Sequence, residues 1–261
     1  MHLKKSCIWI TGATGGFGRE LATRCAEDGA ALALSARSVE ALHALATECK
    51  ARGSRDVLIE ALDVRDADAT QAAAGRIATH FGRIDGFVAS AADVPLGDIE
   101  SLSNDEWLYG INNKLLGTVN CLRAVLPIMR GQNGGRVVVL SGARGTEPMP
   151  KSVLPGAVNA ALNNIVKALA GDYAKFGVAI NAVSPSLVMT ARGELYIRTE
   201  AEKTGRTVSE VRAEWTNKLP AGRFITPDEI VAVIYELLGA FPSAFTGQTL
   251  LIDAAESRGV R

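Results

Sequence analysis

The residues Thr11-Gly12-Ala13-Thr14-Gly15-Gly16-Phe17-Gly18 follow the apolar run Cys7-Ile8-Trp9-Ile10 and lead straight into a helical pattern. Glycines spaced in this way let a backbone turn sharply at a strand end, approach a pyrophosphate closely and aim helix N-terminal amides at it. Outward from this stretch, short apolar runs alternate with longer helical patterns. The later runs are ALALSA, VLIEALDV, GFVASA, RVVVLSG, AINAVSP and QTLLID. They are nearly continuous in apolar residues, as strands of a parallel sheet covered on both faces must be. Helical patterns occupy 18–27, 39–51, 67–80, 105–129, 157–176 and 228–238. The expected architecture is α/β, a doubly wound parallel sheet of seven strands with helices on both faces, in a single domain over 1–261.

Three helix starts carry their own chemistry. Ser103-Asn-Asp-Glu106, Thr207-Val-Ser-Glu210 and Thr226-Pro-Asp-Glu229 each fit a capping box, the last with Pro227 at the first helical position. No repeat or linker interrupts the series. The least regular segment, 189–221, is rich in charge, lacks a strand and is expected to form a substrate lid.

Composition narrows the function classes. Lys plus Arg and Asp plus Glu balance at 28 each, so nothing advertises a nucleic-acid groove or an anionic membrane surface. The run after MHLKK ends at Ile10, too short for a signal peptide, and no stretch approaches the ~20 apolar residues of a membrane span. Cys7, Cys25, Cys49 and Cys121 form no metal spacing and read as buried thiols of a reducing compartment. The expectation is a cytoplasmic protein with no metal, no nucleic-acid partner and no membrane.

The second strand ends Ser35-Ala36-Arg37, where an acidic residue would bind a ribose 2′-hydroxyl. A basic Arg37 suits a 2′-phosphate instead and favours NADP(H) over NAD(H); the bland alternative is a solvated surface arginine. The pattern TGxxxGxG over 11–18 also resembles the glycine signature of the short-chain dehydrogenase/reductase family, and the resemblance spans nearly the whole chain. Leu62-Asp63-Val64 resembles that family's adenine-contacting segment, Asn181-Ala-Val-Ser-Pro185 its sixth strand, and Val188 and Thr190 its nicotinamide-contacting turn. Thr246-Gly-Gln-Thr-Leu-Leu-Ile-Asp253 is similar too. The resemblance implies a Rossmann-type fold and a cofactor site formed by Gly12, Gly16, Phe17, Gly18, Arg37, Asp63, Val64, Val188 and Thr190. It also implies dimers or tetramers assembled through the long helices 105–129 and 157–176. Asn159, Asn163 and Lys167 fall in one narrow line of the second of these, leaving an apolar surface wider than one sheet contact requires.

At the catalytic positions the resemblance fails. The family uses a Tyr to move the proton, a Lys one helical turn later, a Ser and an Asn. Tyr and Lys at i and i+4 share a helix face, so the ammonium favours phenolate. Aligned through Ala160-Ala161-Leu162, this chain has Pro155 for the Tyr and Asn159 for the Lys. The strand ending in Ser141-Gly142 puts Gly142 at the Ser position, and strand alternation points Ser141 away from the site. Lys114 stands for the Asn, with Asn112 and Asn113 beside it if the register slips. The family's Asn-Asn-Ala-Gly appears as Ala89-Ser90-Ala91-Ala92.

Lys114, Arg144, Lys151 and Tyr196 are candidates to face the cleft, with Arg144 as an anion holder and Tyr196 as a phenolic acid. His2, His43 and His80 lie in the tail or in early helices. Leu195, Ile197 and Trp215 offer either an apolar substrate wall or plain packing. Three readings follow. The favoured one is a catalytically silent subunit that pairs with an active paralogue of the family in a hetero-oligomer. The second is an unconventional NADP-dependent oxidoreductase acting on a carbonyl or alcohol without the Tyr–Lys pair. The third is a sensor of cofactor or ligand.

Overall fold

The computed structural model describes residues 3–91 and 93–257. The strands are β1 (Cys7–Thr11), β2 (Ala31–Ala36), β3 (Asp56–Ala61), β4 (Gly86–Ala89), β5 (Gly135–Leu140), β6 (Val178–Pro185) and β7 (Thr249–Ile252). They form one sheet in the order β3-β2-β1-β4-β5-β6-β7, with every neighbouring pair parallel. The order reverses between β1 and β4, and in such sheets ligands bind at the carboxyl ends of the strands beside that switch.

Side-chain alternation divides the core into two layers. Ile8 and Ile10 of β1 face α1 (Gly16–Glu27), α2 (Val39–Ala51) and a C-terminal helix over Pro227–Gly239. Cys7 and Trp9 face α3 (Ala67–Phe81), α5 (Gly117–Gly131) and α6 (Val153–Tyr173). The Trp9 and Phe87 rings meet at 4.9 Å, and Trp9 Nε1 donates to Ser35 Oγ at 2.9 Å, so the one polar atom of this buried ring has a partner. All four cysteines are buried and free; burial pushes the Cys7 and Cys121 thiols up to about 12.

Two expectations change. The single helix expected over 105–129 is α4 (Asn104–Gly110), a π-helical turn (Ile111–Leu116) and then α5. Glycines bracket the turn and let it pack closely. A Cβ on Gly117 would lie 2.6 Å from Val64 Cγ2, and one on Gly110 would lie 2.9 Å from Leu154. The irregular segment 189–221 contains α7 (Ala191–Thr204) and α8 (Val208–Lys218). Its own small core joins Ile197, Ala201 and Val211, with Met189, Trp215 and Phe224 packed against them. Ile197 and Trp215 are therefore packing residues, and Leu195 is exposed.

The capping boxes form as expected. Ser103 Oγ accepts from the Glu106 amide at 3.3 Å, Thr207 Oγ1 accepts from the Glu210 amide at 3.2 Å, and the Glu229 carboxylate takes the Thr226 amide at 2.9 Å. The last box opens α9 (Pro227–Gly239). Among the described residues no helix is long and apolar enough to cross a membrane, and no cluster could hold a metal ion.

Candidate active site

The glycine loop contains glycines of two kinds. Gly12 has φ +65°, and a Cβ there would lie 2.6 Å from the Ala91 amide nitrogen. A Cβ on Gly18 would lie 2.3 Å from the Gly12 carbonyl oxygen. The chain's own packing demands glycine at both positions. Gly15 and Gly16 differ: Gly15 is extended at φ −79°, and a Cβ on Gly16 would make only an ordinary contact, 3.4 Å from the Thr190 methyl. A Cβ on Gly15 would be tighter, 3.3 Å from the Gly12 carbonyl oxygen.

The loop opens α1 without a side-chain cap and with no acid in the first turn, whereas Ser38, Asp66, Ser103, Thr190 and Thr207 cap their helices. The α1 amides and the positive end of its dipole are left for an anion from outside the chain. Where Ala92 stands in the altered Asn-Asn-Ala-Gly segment, the position lies outside the described residues, as does His2. Ser90 anchors the rest of that segment by donating from Oγ to the Thr11 carbonyl at 2.7 Å.

At the far edge, Arg37 is exposed just beyond β2. Its charge adds to the lowering of the Asp63 carboxyl and offsets part of the rise of the Tyr109 phenol. The Arg65 guanidinium, bonded to both Asp63 oxygens, does most to hold that carboxylate below its ordinary range. Tyr109 donates to Asp93 Oδ2 at 2.8 Å, which keeps its phenol above the ordinary value. Val64 is buried beneath this edge.

Lys114 and Pro155 line a pocket of about 240 Å³, whose wall also includes Phe17, Ser141, Thr190 and Tyr196. Val188 lines it as well. Lys114 is buried, and its Nζ donates to Asn159 Oδ1 at 2.7 Å and to the Ser141 carbonyl at 3.0 Å. Lys114 and Asn159, which are far apart in the sequence, are thus joined by a hydrogen bond in the buried interior. A Cβ on Gly142 would lie 2.6 Å from Asn159 Nδ2, so the loss of the Ser side chain is coupled to the presence of Asn159. The π-helical turn sets this register. Asn113 turns its amide to the Asp93 carbonyl at 2.8 Å and Asn112 lines a groove on the outer side, leaving Lys114 in the pocket.

Ser141 corrects the alternation argument. β5 ends at Leu140, so Ser141 is past the pleat; it lies in the pocket wall with Oγ donating to the Asn159 carbonyl at 3.2 Å. Arg144 does not line the pocket. It pairs with Glu256 at 2.9 Å, and the same carboxylate accepts from Ser186 Oγ, so the C-terminal segment already occupies the proposed anion holder. Lys151 is exposed and apart from the pocket, whereas Tyr196 lines it. His43 is exposed, and His80 pairs with Asp56, the first residue of β3, at 2.7 Å; neither lines the pocket. The polar line on α6 faces inward at Asn159, bonded to Lys114. The Asn163 amide is also buried and has no partner among the described residues.

The comparisons with known proteins agree with this geometry. A family model described as Enoyl-(Acyl carrier protein) reductase matches residues 12–254. D-threitol dehydrogenase of Mycolicibacterium smegmatis is 32% identical over 94% of this chain and 90% of its own. Among solved structures, an NAD+-bound xylitol dehydrogenase superposes with a TM-score of 0.91 at 25% identity, covering 97% of this chain and 99% of that one. An actinorhodin polyketide ketoreductase with NADPH gives 0.90 at 25% identity, covering 98% and 99%. The chain belongs to the short-chain dehydrogenase/reductase family of oxidoreductases.

Proposed function

We propose that the protein binds NADP(H) and acts by itself as an oxidoreductase on a small, mainly apolar carbonyl or alcohol compound, without the family's Tyr–Lys pair. One observation carries this reading: the Lys114 ammonium stands in the wall of the pocket that Phe17, Val188 and Thr190 form beside the glycine loop. The residues present fit a nicotinamide dinucleotide, because α1 starts on Gly15 and Gly16 with no side-chain cap and no acid in its first turn, as a helix end that receives a pyrophosphate does. Arg37, exposed beyond β2, supports a 2′-phosphate and hence NADP(H) over NAD(H).

When bound, the nicotinamide supplies or accepts the hydride. The chain's residues do the rest. Main-chain amides from Gly16 to Gly18 would hold the pyrophosphate, Asp63 and Val64 would flank the adenine, and Val188 and Thr190 would border the nicotinamide. Phe17, Leu140, Pro155 and Leu187 exclude water from one side of the pocket.

The alternative is a silent subunit completing an assembly with an active paralogue, and Pro155 in the wall where the family has its Tyr favours it. Either way, we propose a cytoplasmic homo- or hetero-oligomer formed through α4–α5 and α6, since Leu108 and Leu116 remain 56% and 44% exposed on the first of these. The test is NADPH consumption by the purified chain alone against a panel of aldehydes, ketones and unsaturated carbonyl compounds. Turnover of a panel member without a second protein is expected. Turnover that appears only when an active paralogue is added would contradict the first reading and support the second.

A further inference from the structure

The segment that follows β7 turns back towards the pocket. Ala254 and Ala255 both take left-handed backbone, at φ +50° and +65°. That conformation is costly for any residue with a Cβ, and two in succession persist only where surrounding contacts fix them. Such contacts are present. The Asp253 carboxylate accepts from the Ala255 amide at 3.1 Å and from the Ser257 amide at 2.9 Å, and the Asp253 carbonyl accepts from the Glu256 amide at 3.0 Å. So held, the turn sets the Glu256 carboxylate between two other segments. Its Oε1 accepts from Arg144 Nη2 at 2.9 Å, and its Oε2 accepts from Ser186 Oγ. Arg144 lies in the short turn Ala143–Gly145 after β5, and Ser186 in the loop between β6 and α7. The two segments adjoin different parts of the pocket wall: Leu140 and Ser141 lead into the first, and Ser186, Leu187 and Val188 belong to the second. The side chains of Arg144 and Glu256 are only 23% and 28% exposed, so water screens the pair less than it does a surface ion pair.

We propose that Glu256 is a positioning residue of the pocket: its carboxylate clips the turn at Ala143–Gly145 to the β6–α7 loop and so fixes the two walls between which a substrate lies. The clip stands on these contacts alone; its effect on turnover rests on the oxidoreductase reading above. Each carboxylate oxygen is committed to a different segment, so losing the carboxylate frees both. The guanidinium of Arg144 then lacks its partner, and the Ser186 hydroxyl no longer ties the loop that leads into α7. Amides in both segments report on this. Those of Gly145 and Thr146 bond to the Gly142 and Ala143 carbonyls, and those of Ser186 and Met189 bond to the Ile252 and Ile225 carbonyls.

The test is amide hydrogen exchange of the full chain, read by peptide mass spectrometry over 141–147 and 186–190. Glu256→Ala is expected to speed exchange about 10-fold in both segments and to leave β1 to β3 unchanged. Glu256→Gln keeps the hydrogen-bonding atoms without the charge and should give about a 3-fold rise. Wild type needs no variant: raising salt from about 0.05 to 1 M should speed exchange about 2-fold in both segments, and Glu256→Gln should not respond, a difference that plain packing would not produce. On any carbonyl compound that wild type reduces, Glu256→Ala should lower kcat/KM about 10-fold while NADPH affinity stays within about 2-fold. Exchange that stays at the wild-type rate in Glu256→Ala, or rises in one segment alone, overturns the clip. If Glu256→Ala does not fold, wild-type exchange indifferent to salt overturns it instead. Faster exchange in both segments with kcat/KM unchanged overturns the positioning role. Absence of any turnover by wild type counts against the oxidoreductase reading, and the exchange rates still decide the clip.

Discussion

The two ends of the cleft differ in what their residues answer to. At the glycine loop, Gly12 and Gly18 are required by backbone contacts inside the chain, whereas a Cβ on Gly16 would meet only the Thr190 side chain, at ordinary contact distance. At the β5–α6 end, the residues answer to one another: Lys114 to Asn159 through a hydrogen bond, and Gly142 to Asn159 through lack of room. The first end looks outward to a ligand. The second is tied together by contacts within the chain.

Substitutions in the loop break the comparison most severely. Gly18→Ala places a Cβ 2.3 Å from the Gly12 carbonyl and is expected to destabilise the fold by about 3 kcal/mol or more, a fall in Tm of roughly 6–12 °C by calorimetry. Gly16→Ala should leave Tm within about 2 °C and still weaken NADPH about 10-fold. Equal losses of stability at the two positions would erase the distinction between them.

A double-mutant cycle sharpens the other end. Lys114→Asn and Asn159→Lys should each cost about 1–3 kcal/mol, because each leaves buried partners unsatisfied. The double variant should recover about 1 kcal/mol or more of the sum in denaturant unfolding, whereas additive losses would show that the exchange is not a unit. A smaller effect is expected at the cofactor's far edge. Arg37→Ala should narrow the preference for NADPH over NADH about 10-fold in parallel titrations, with Tm unchanged.

The smallest effect concerns the outer end of α1, the helix that presents the loop. Tyr235 donates to Asp28 Oδ2 at 2.8 Å, and burial, then that carboxylate, push its phenol from 10.0 up to about 12. A raised phenol adds stability that is present below pH 10.0 and is lost as the pH climbs towards about 12. Tyr235→Phe should lower Tm by about 2–4 °C at neutral pH and flatten the alkaline limb of the unfolding profile.

Much of the fold was legible because its signals are local. Apolar runs mark all seven strands, the glycine loop marks the first turn, and Ser103, Thr207 and Thr226 mark helix starts. The box at Thr207 already announced α8 within a segment that otherwise reads as irregular. The π-helical turn at Ile111–Leu116 was not legible, because its five-residue bonding leaves no mark in a 3.6-residue pattern. Ser141 was misplaced because strand alternation was carried one residue past the end of β5. The meeting of Lys114 and Asn159 was hidden for a different reason: they are 45 positions apart, and only the packing of the π-helical turn against α6 brings them together. The reciprocal exchange of residue types at two family positions was the available signal. Glu256 against Arg144 spans 112 positions and left no sequence signal at all.

The most direct test of the account is a titration of the purified wild-type chain with NADPH and, separately, NADH, followed by fluorescence or heat. The account predicts saturable binding at about micromolar concentration for NADPH and weaker binding for NADH. Binding of neither would make the glycine loop and the uncapped start of α1 a structural feature alone and contradict the claim that this end of the cleft is built for a ligand.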